Sequence, residues 1–189
     1  MKRIVILLTF IFIALPSAQA GFWLQPSINY HTDTDDNTNF EYAAAHYSFV
    51  LGATFGKKGN WVVGQSVVSW SRSEGNTTTD PANEMSMLEL GPRIMYFFGK
   101  DRNFYVSGTY NFYAKGTRNV AGAEADIDGS SIMASFGLQM KGNKRFYLGF
   151  SLNYHATSIS KSTVDNTSED VSNSYSRIYP AIDFSLRFK

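Results

Sequence analysis

Three histidines, His31, His46 and His155, are the residues best suited to metal binding or acid–base work, and no two lie close enough in sequence to form a local metal-ligand pair. The chain has no cysteine, so thiolate ligands and disulfides are excluded, and neither a metal nor a cofactor is expected. The segment Asp33-Thr34-Asp35-Asp36-Asn37 alternates oxygen ligands of the kind calcium accepts. It lacks the glycine and distal glutamate of a complete calcium loop, so a solvated loop is the expectation. Two charged pairs share one spacing: Glu89 with Arg93, and Asp183 with Arg187. Residues four apart on a strand are separated by about 13 Å, so the members of a pair cannot reach each other. Each needs a partner across an interior or on a neighbouring strand, because an unpaired buried charge is costly.

The elements that would position these residues follow a leader. Lys2 and Arg3 precede an apolar run from Ile4 to Leu15, and Ala18 and Ala20 provide small residues for a signal peptidase. Residues 1–20 are therefore predicted to be a cleaved signal peptide. The apolar run is too short for a membrane helix, which needs roughly 20 residues. The mature domain, residues 21–189, drops from a net charge of +1 to −1 on losing Lys2 and Arg3. Near-neutrality argues against a nucleic-acid partner. No other long apolar run exists, so any membrane crossing must use strands in a closed barrel.

Alternation with period two supplies those strands. Eight stretches read this way: Phe22 to His31, Glu41 to Phe55, Trp61 to Arg72, Met85 to Phe98, Phe104 to Lys115, Ser130 to Met140, Phe146 to Ile159, and Tyr175 to Phe188. They exceed the usual soluble strand and suit a tilted membrane strand of roughly 9 to 11 residues. In the third, Trp61, Val62, Val63, Val67, Val68 and Trp70 occupy both parities, so its register stays open. Short turns at residues 56–60, 99–103 and 141–145 alternate with long polar loops near 32–40, 73–84, 116–129 and 160–174. This is the plan of an outer-membrane barrel with short periplasmic turns and longer outside loops. Aromatics flank both ends. Trp61, Phe97, Phe98, Phe104, Tyr105, Phe146 and Tyr147 lie near the turns, and Tyr30, Trp70, Tyr110, Tyr113, Tyr154 and Tyr175 lie toward the loops. Two interfacial girdles are expected.

The fold class is thus all-β: a closed, antiparallel, up-and-down transmembrane barrel of eight strands. Such a barrel is just wide enough for side chains to fill it. With the apolar parity outward, the lumen receives Asn29, His31, Asn111, Gln139, Asn153 and His155 beside the charges Glu89, Arg93, Asp183 and Arg187. A polar, plugged interior is the expectation.

The strand and turn pattern resembles the small outer-membrane barrel superfamily that includes the OmpA transmembrane domain and OmpX-like proteins. The alternation Phe184, Leu186, Phe188 at the end is similar to that group's terminal assembly signal, although Lys189 follows the aromatic here. The resemblance implies insertion into the bacterial outer membrane as a monomer. It also implies contact with outer-membrane lipid and lipopolysaccharide, and handling by periplasmic chaperones and the barrel-assembly machinery.

A second likeness concerns activity. His155, Thr157 and Glu169 are laid out similarly to the His-x-Ser signature and glutamate of outer-membrane lipid A deacylases, with Thr157 where the serine nucleophile stands. Palmitoyl-transferase barrels begin with an amphipathic helix, whereas residues 21–30 read as strand. The first reading is a non-enzymatic barrel with acidic surface loops, serving envelope integrity or surface interaction. The alternatives are a narrow porin-like channel for small solutes and a deacylase-like hydrolase.

Overall fold

The computed structural model describes residues 21–35, 40–56, 59–76, 83–120 and 122–188. The predicted signal peptide, Asp36 and Asn37 of the acidic segment, and Lys189 lie outside them. Among the described residues, eight strands form a closed antiparallel ring in chain order: β1 (Phe22–Asp35), β2 (Phe40–Phe55), β3 (Trp61–Asn76), β4 (Asn83–Phe98), β5 (Phe104–Val120), β6 (Ala123–Lys141), β7 (Phe146–Val164) and β8 (Thr167–Phe188). Closure joins β8 to β1 and leaves the sheet without a free edge along the paired part, which is what hydrocarbon demands of a backbone that cannot bond to water.

Alternation places one parity of each strand inside. In β4, Met85, Met87, Glu89, Arg93, Met95 and Phe97 are buried, whereas Leu88 and Ile94 face outward. The outward parity continues around the ring through Phe49, Val106, Ile132, Phe136, Phe150, Leu152 and Ile182, an apolar belt suited to lipid. The register of β3 is set by its neighbours. Val68 pairs with Glu89 and Ser48, so Val62, Ser66, Val68 and Trp70 face the lumen, and Trp61 and Val63 face out.

Two expected loops are not loops. Residues 116–120 and 123–129 belong to the upper β5–β6 hairpin, pairing from Gly116↔Ile127 to Val120↔Ala123, and residues 160–174 lie largely in the β7–β8 hairpin. The second closes at Asp165 and Asn166, both with positive φ, the conformation a tight two-residue hairpin turn requires and these two residue types tolerate. Polar composition hid these strands. Above the membrane neither face needs to be greasy, so the ladder continues without the alternation that signals a half-buried strand.

Part of each expected girdle also turns inward. Trp61 and Phe104 near the turns, and Tyr30, Tyr110 and Tyr154 near the loops, are exposed on the outer wall. Phe97, Tyr105, Tyr147 and Trp70 are instead buried, and Tyr175 packs against the buried cluster around Trp70. The barrel interior needs large side chains to fill its ends, and aromatic residues beside a turn can serve that interior as well as the interface.

β5 carries one extra residue between Asn111 and Ala114, a bulge that also shifts its register with β4. The bulge presses the Tyr110 carbonyl against Gly91, where a Cβ would overlap backbone. Gly91→Ala is therefore expected to lower the yield of folded barrel, measured as the fraction of refolded protein whose gel mobility shifts on heating. An unchanged yield would show that β5 relaxes around the added methyl group.

Candidate functional site

The lumen is the only place where the fold concentrates chemistry-bearing side chains away from solvent and lipid among the described residues. It is built in layers. Toward the turns, Trp23, Val50, Val62, Met95, Phe97 and Tyr105 form one apolar cluster. Toward the loops, Val68, Trp70, Met85, Met87, Ile127 and Ile159 belong to a second. Between them lies a polar belt. Beside the polar residues expected on the inward parity, apolar residues also sit there near both ends.

Glu89 is the centre of the belt and is 0% exposed. Its Oε1 accepts from Trp70 Nε1 at 2.7 Å and from Thr157 Oγ1 at 3.0 Å. Its Oε2 accepts from Asn111 Nδ2 at 3.0 Å and from the Ser131 hydroxyl, and it lies 2.9 Å from His155 Nε2. These donors come from β3, β5, β6 and β7, so one carboxylate from β4 ties five strands together across the lumen. Charge-assisted bonds of this kind are about twice as strong as neutral ones.

Asp183 organises a second centre. Tyr105 donates to its Oδ2 at 2.6 Å and Ser151 to its Oδ1 at 3.2 Å; Gln25 Nε2 donates to the Tyr105 hydroxyl at 3.2 Å, and Asn153 Nδ2 to Ser151 at 3.1 Å. Arg93 donates to Ser107 at 2.8 Å and to Ser135 at 3.3 Å. Arg187 reaches the carbonyl of Gly59 in the β2–β3 turn at 3.4 Å and closes the turn end of the lumen. Among the described residues, no ion pair joins Glu89, Arg93 and Asp183 to one another. Neutral donors and His155 meet the carboxylates, and the Ser107 and Ser135 hydroxyls meet Nη2 of Arg93, whose buried Nε has no hydrogen-bond partner among the described residues.

The remaining candidates are dispersed. Gln139 donates to the Arg102 carbonyl at 2.8 Å. Asn29 is half-buried, and His31 is exposed at the mouth with its ring 6.1 Å from Tyr42. Phe184, Leu186 and Phe188 face outward on β8, with Phe188 against Phe22 at 6.2 Å. Glu169 pairs in register with Ser162 on the exposed β7–β8 hairpin, remote in the ladder from Thr157, which pairs with Tyr175.

Sequence reading did not bring Trp70 or Thr157 to Glu89 and did not place His46 in the lumen. His46 stacks on Tyr179 at 4.1 Å and edges against His155 at 6.1 Å, and Arg177 lies 4.2 Å over the Trp70 ring. Parity was the available signal for His46, which shares a face with Ser48 and opposes Tyr47 and Phe49.

A hydroxyl, an imidazole and a carboxylate do meet here: Thr157 Oγ1 is 3.3 Å from His155 Nε2. The same nitrogen also faces Glu89, and Thr157 donates to that carboxylate, so the three side chains form one hydrogen-bonded cluster. Ile159 and the upper apolar cluster stand between Thr157 and the mouth. At the mouth itself, a basin of about 530 Å³ is lined by Arg72, Glu84, Thr117, Asn119 and Glu124. Arg72 is held there by Glu74 at 2.8 Å.

Glu89→Leu is expected to destabilise the barrel by about 3–5 kcal/mol, since it strands five donors in a dry interior. Urea unfolding in lipid would measure this. In a cycle with His155→Ala, the two effects should fall short of additivity by more than about 0.5 kcal/mol, and full additivity would show that the 2.9 Å contact carries no coupling.

A family model described as outer membrane protein beta-barrel domain matches residues 4–176. Among solved structures, the beta domain of the Bordetella autotransporter Brka is similar at 10% identity, covering 92% of this chain and all of that chain, with a TM-score of 0.51. Neisserial surface protein A (NspA) aligns at 12% identity over 89% of this chain and 96% of that chain, with a TM-score of 0.49. Identities this low speak to fold alone. No curated protein matches the chain.

Proposed function

The chain belongs to the outer membrane protein beta-barrel domain family, and from that premise we propose that it is a non-enzymatic barrel whose sealed lumen makes it a rigid carrier for its outer hairpins. The observation that carries this reading is the layered lumen, with Glu89 fully buried between two apolar clusters. A conducting path needs a wetted interior, and a hydrolase needs a hydroxyl that substrate can reach. The long β5–β6 and β7–β8 hairpins, carrying Glu124, Asp126, Asp128, Asp165, Glu169 and Asp170, present an acidic surface beyond the lipid belt. Such a surface suits a role in envelope integrity or contact with basic partners and cations. Export through a signal peptide cleaved after Ala20, assembly as a monomer by the barrel-assembly machinery, and residence among lipopolysaccharide belong to the same proposal.

In planar bilayers the refolded mature chain is expected to show no stepwise ion conductance. Arg93→Ala alone should leave it closed, because the apolar layers on either side of the belt remain. Trp23→Ala combined with Trp70→Ala should open it, since these remove the largest side chain from each layer. Steady conductance by the wild type would favour the narrow-pore alternative instead.

The hydrolase alternative has its own check. Fatty-acid release from lipid A is expected to stay at background for both wild type and Thr157→Ala. Release by the wild type that Thr157→Ala abolishes would replace the present reading.

A further inference from the structure

The seam that closes the barrel differs from the other seven. β7 and β8 pair from Phe146↔Leu186 to Val164↔Thr167, but β1 and β8 pair only at Phe22↔Phe188, Trp23↔Arg187, Leu24↔Leu186, Ser27↔Asp183 and Ile28↔Ile182. The cause is two prolines. The Thr54 N–H of β2 donates to the Gly21 carbonyl, and the Arg187 N–H donates to the Arg145 carbonyl beside β7, so the odd residues of β1 and β8 bond away from the seam. By the alternation of antiparallel ladders, the even residues must bond across it. At the even positions stand Pro26, opposite Phe184, and Pro180, opposite Tyr30 in the same register. Neither proline has an N–H to donate. The first interrupts the ladder and the second ends it.

Above Ile28 and Ile182 no backbone pairing joins the two strands among the described residues. Tyr30 is 67% exposed and Ile178 is 68% exposed, the two highest values among the large apolar residues, and they flank the split. Tyr30 belongs to the loop-side girdle, so the split opens at the depth where amphipathic rings meet lipid headgroups. Directly inside is a cavity of about 10 Å³, lined by Ser27, Ile28, His46, Ser48, Asn153 and Tyr179. Ile28 faces outward, so the cavity joins the seam to the lumen. His46 is 3% exposed, and both its ring nitrogens lack a hydrogen-bond partner among the described residues. A buried imidazole in that state calls for a polar atom. The space beside it suits roughly one oxygen.

We propose that the upper β1–β8 seam is a lateral binding slot for one acyl chain of an outer-leaflet lipid, whose ester or hydroxyl oxygen is met by His46. The apolar chain lies between Tyr30 and Ile178, where the ladder is absent. The oxygen enters the small cavity and supplies the partner that the imidazole lacks. Ester and hydroxyl oxygens of a bilayer lie at girdle depth, so one molecule satisfies both features without leaving its leaflet.

The test uses the mature chain refolded into phosphatidylethanolamine and phosphatidylglycerol vesicles that carry a phospholipid with a photoactivatable acyl chain. After illumination, labelled peptides are mapped by mass spectrometry. Peptides containing Tyr30 and Ile178 are expected to carry several-fold more label than those containing Ile94 and Tyr110 on the wall away from the seam. Pro26→Val combined with Pro180→Val restores both donors and should bring seam labelling down to the level of the wall. His46→Leu should lower it several-fold while the heat-shifted gel mobility persists.

Even labelling around the barrel would overturn the proposal, and labelling unaffected by His46→Leu would overturn the anchoring role of the imidazole. Because the chain has no cysteine, Ile178→Cys gives a unique thiol. Slow reaction of that thiol with a water-soluble maleimide in vesicles supports a lipid-filled slot. Fast reaction, or efficient cross-linking of that thiol to a second copy, would mean that water or protein fills the seam and would overturn the lipid assignment.

Discussion

Hydrocarbon offers a backbone no hydrogen bonds, and each unsatisfied amide or carbonyl left in it costs several kcal/mol. That penalty is why the chain forms a ring rather than an open sheet, and why its strands run in simple chain order. It also makes the two prolines informative. At Pro26 and Pro180 the ladder across the closing seam loses its donors, and the structure responds by ending the pairing at Ile28↔Ile182. The β5–β6 and β7–β8 seams carry long registers, each shifted once, that extend above the membrane as polar hairpins. Closure is therefore uneven around the circumference, weakest where the first strand meets the last.

Within the ring, a second constraint governs the interior. An eight-stranded barrel has room for side chains and little else, so whatever points inward must pack and be satisfied at once. The solution is stratified: Trp23, Phe97 and their neighbours at the turn end, Trp70, Met87 and their neighbours at the loop end, and hydrogen-bonded centres at Glu89 and Asp183 between them. Glu89 draws donors from four other strands, which fixes relative strand positions that lipid contacts on the outside cannot specify. A charge so placed gives the interior one favoured arrangement. The same interior buries Thr157 and His155 beside Glu89.

The likeness to a solved barrel at 10% identity concerns the fold alone. What distinguishes one such barrel from another lies in the filling of the lumen, the length of the outer hairpins and the quality of each seam. On all three counts this chain has particular features: a five-strand carboxylate centre, acidic hairpins closed by tight turns, and a seam parted by proline.

The amino-acid sequence by itself determined the class of fold, because period-two alternation over eight stretches, without a second long apolar run, leaves a barrel as the only way across a membrane. It also placed Glu89, Arg93, Asn111, His155 and Asp183 on the inward parity, since parity is a local property of a strand. It could not set the register of β3, where valines and tryptophans occupy both faces, because only the pairing of Val68 with Glu89 and Ser48 decides which face is inside. Nor could it separate inward from outward aromatics such as Phe97 and Phe98, or see that Thr157 meets Glu89 rather than Glu169. Those contacts join residues dozens of positions apart. They exist only once ring closure has set which strands face each other across the lumen, and no local pattern encodes that distance.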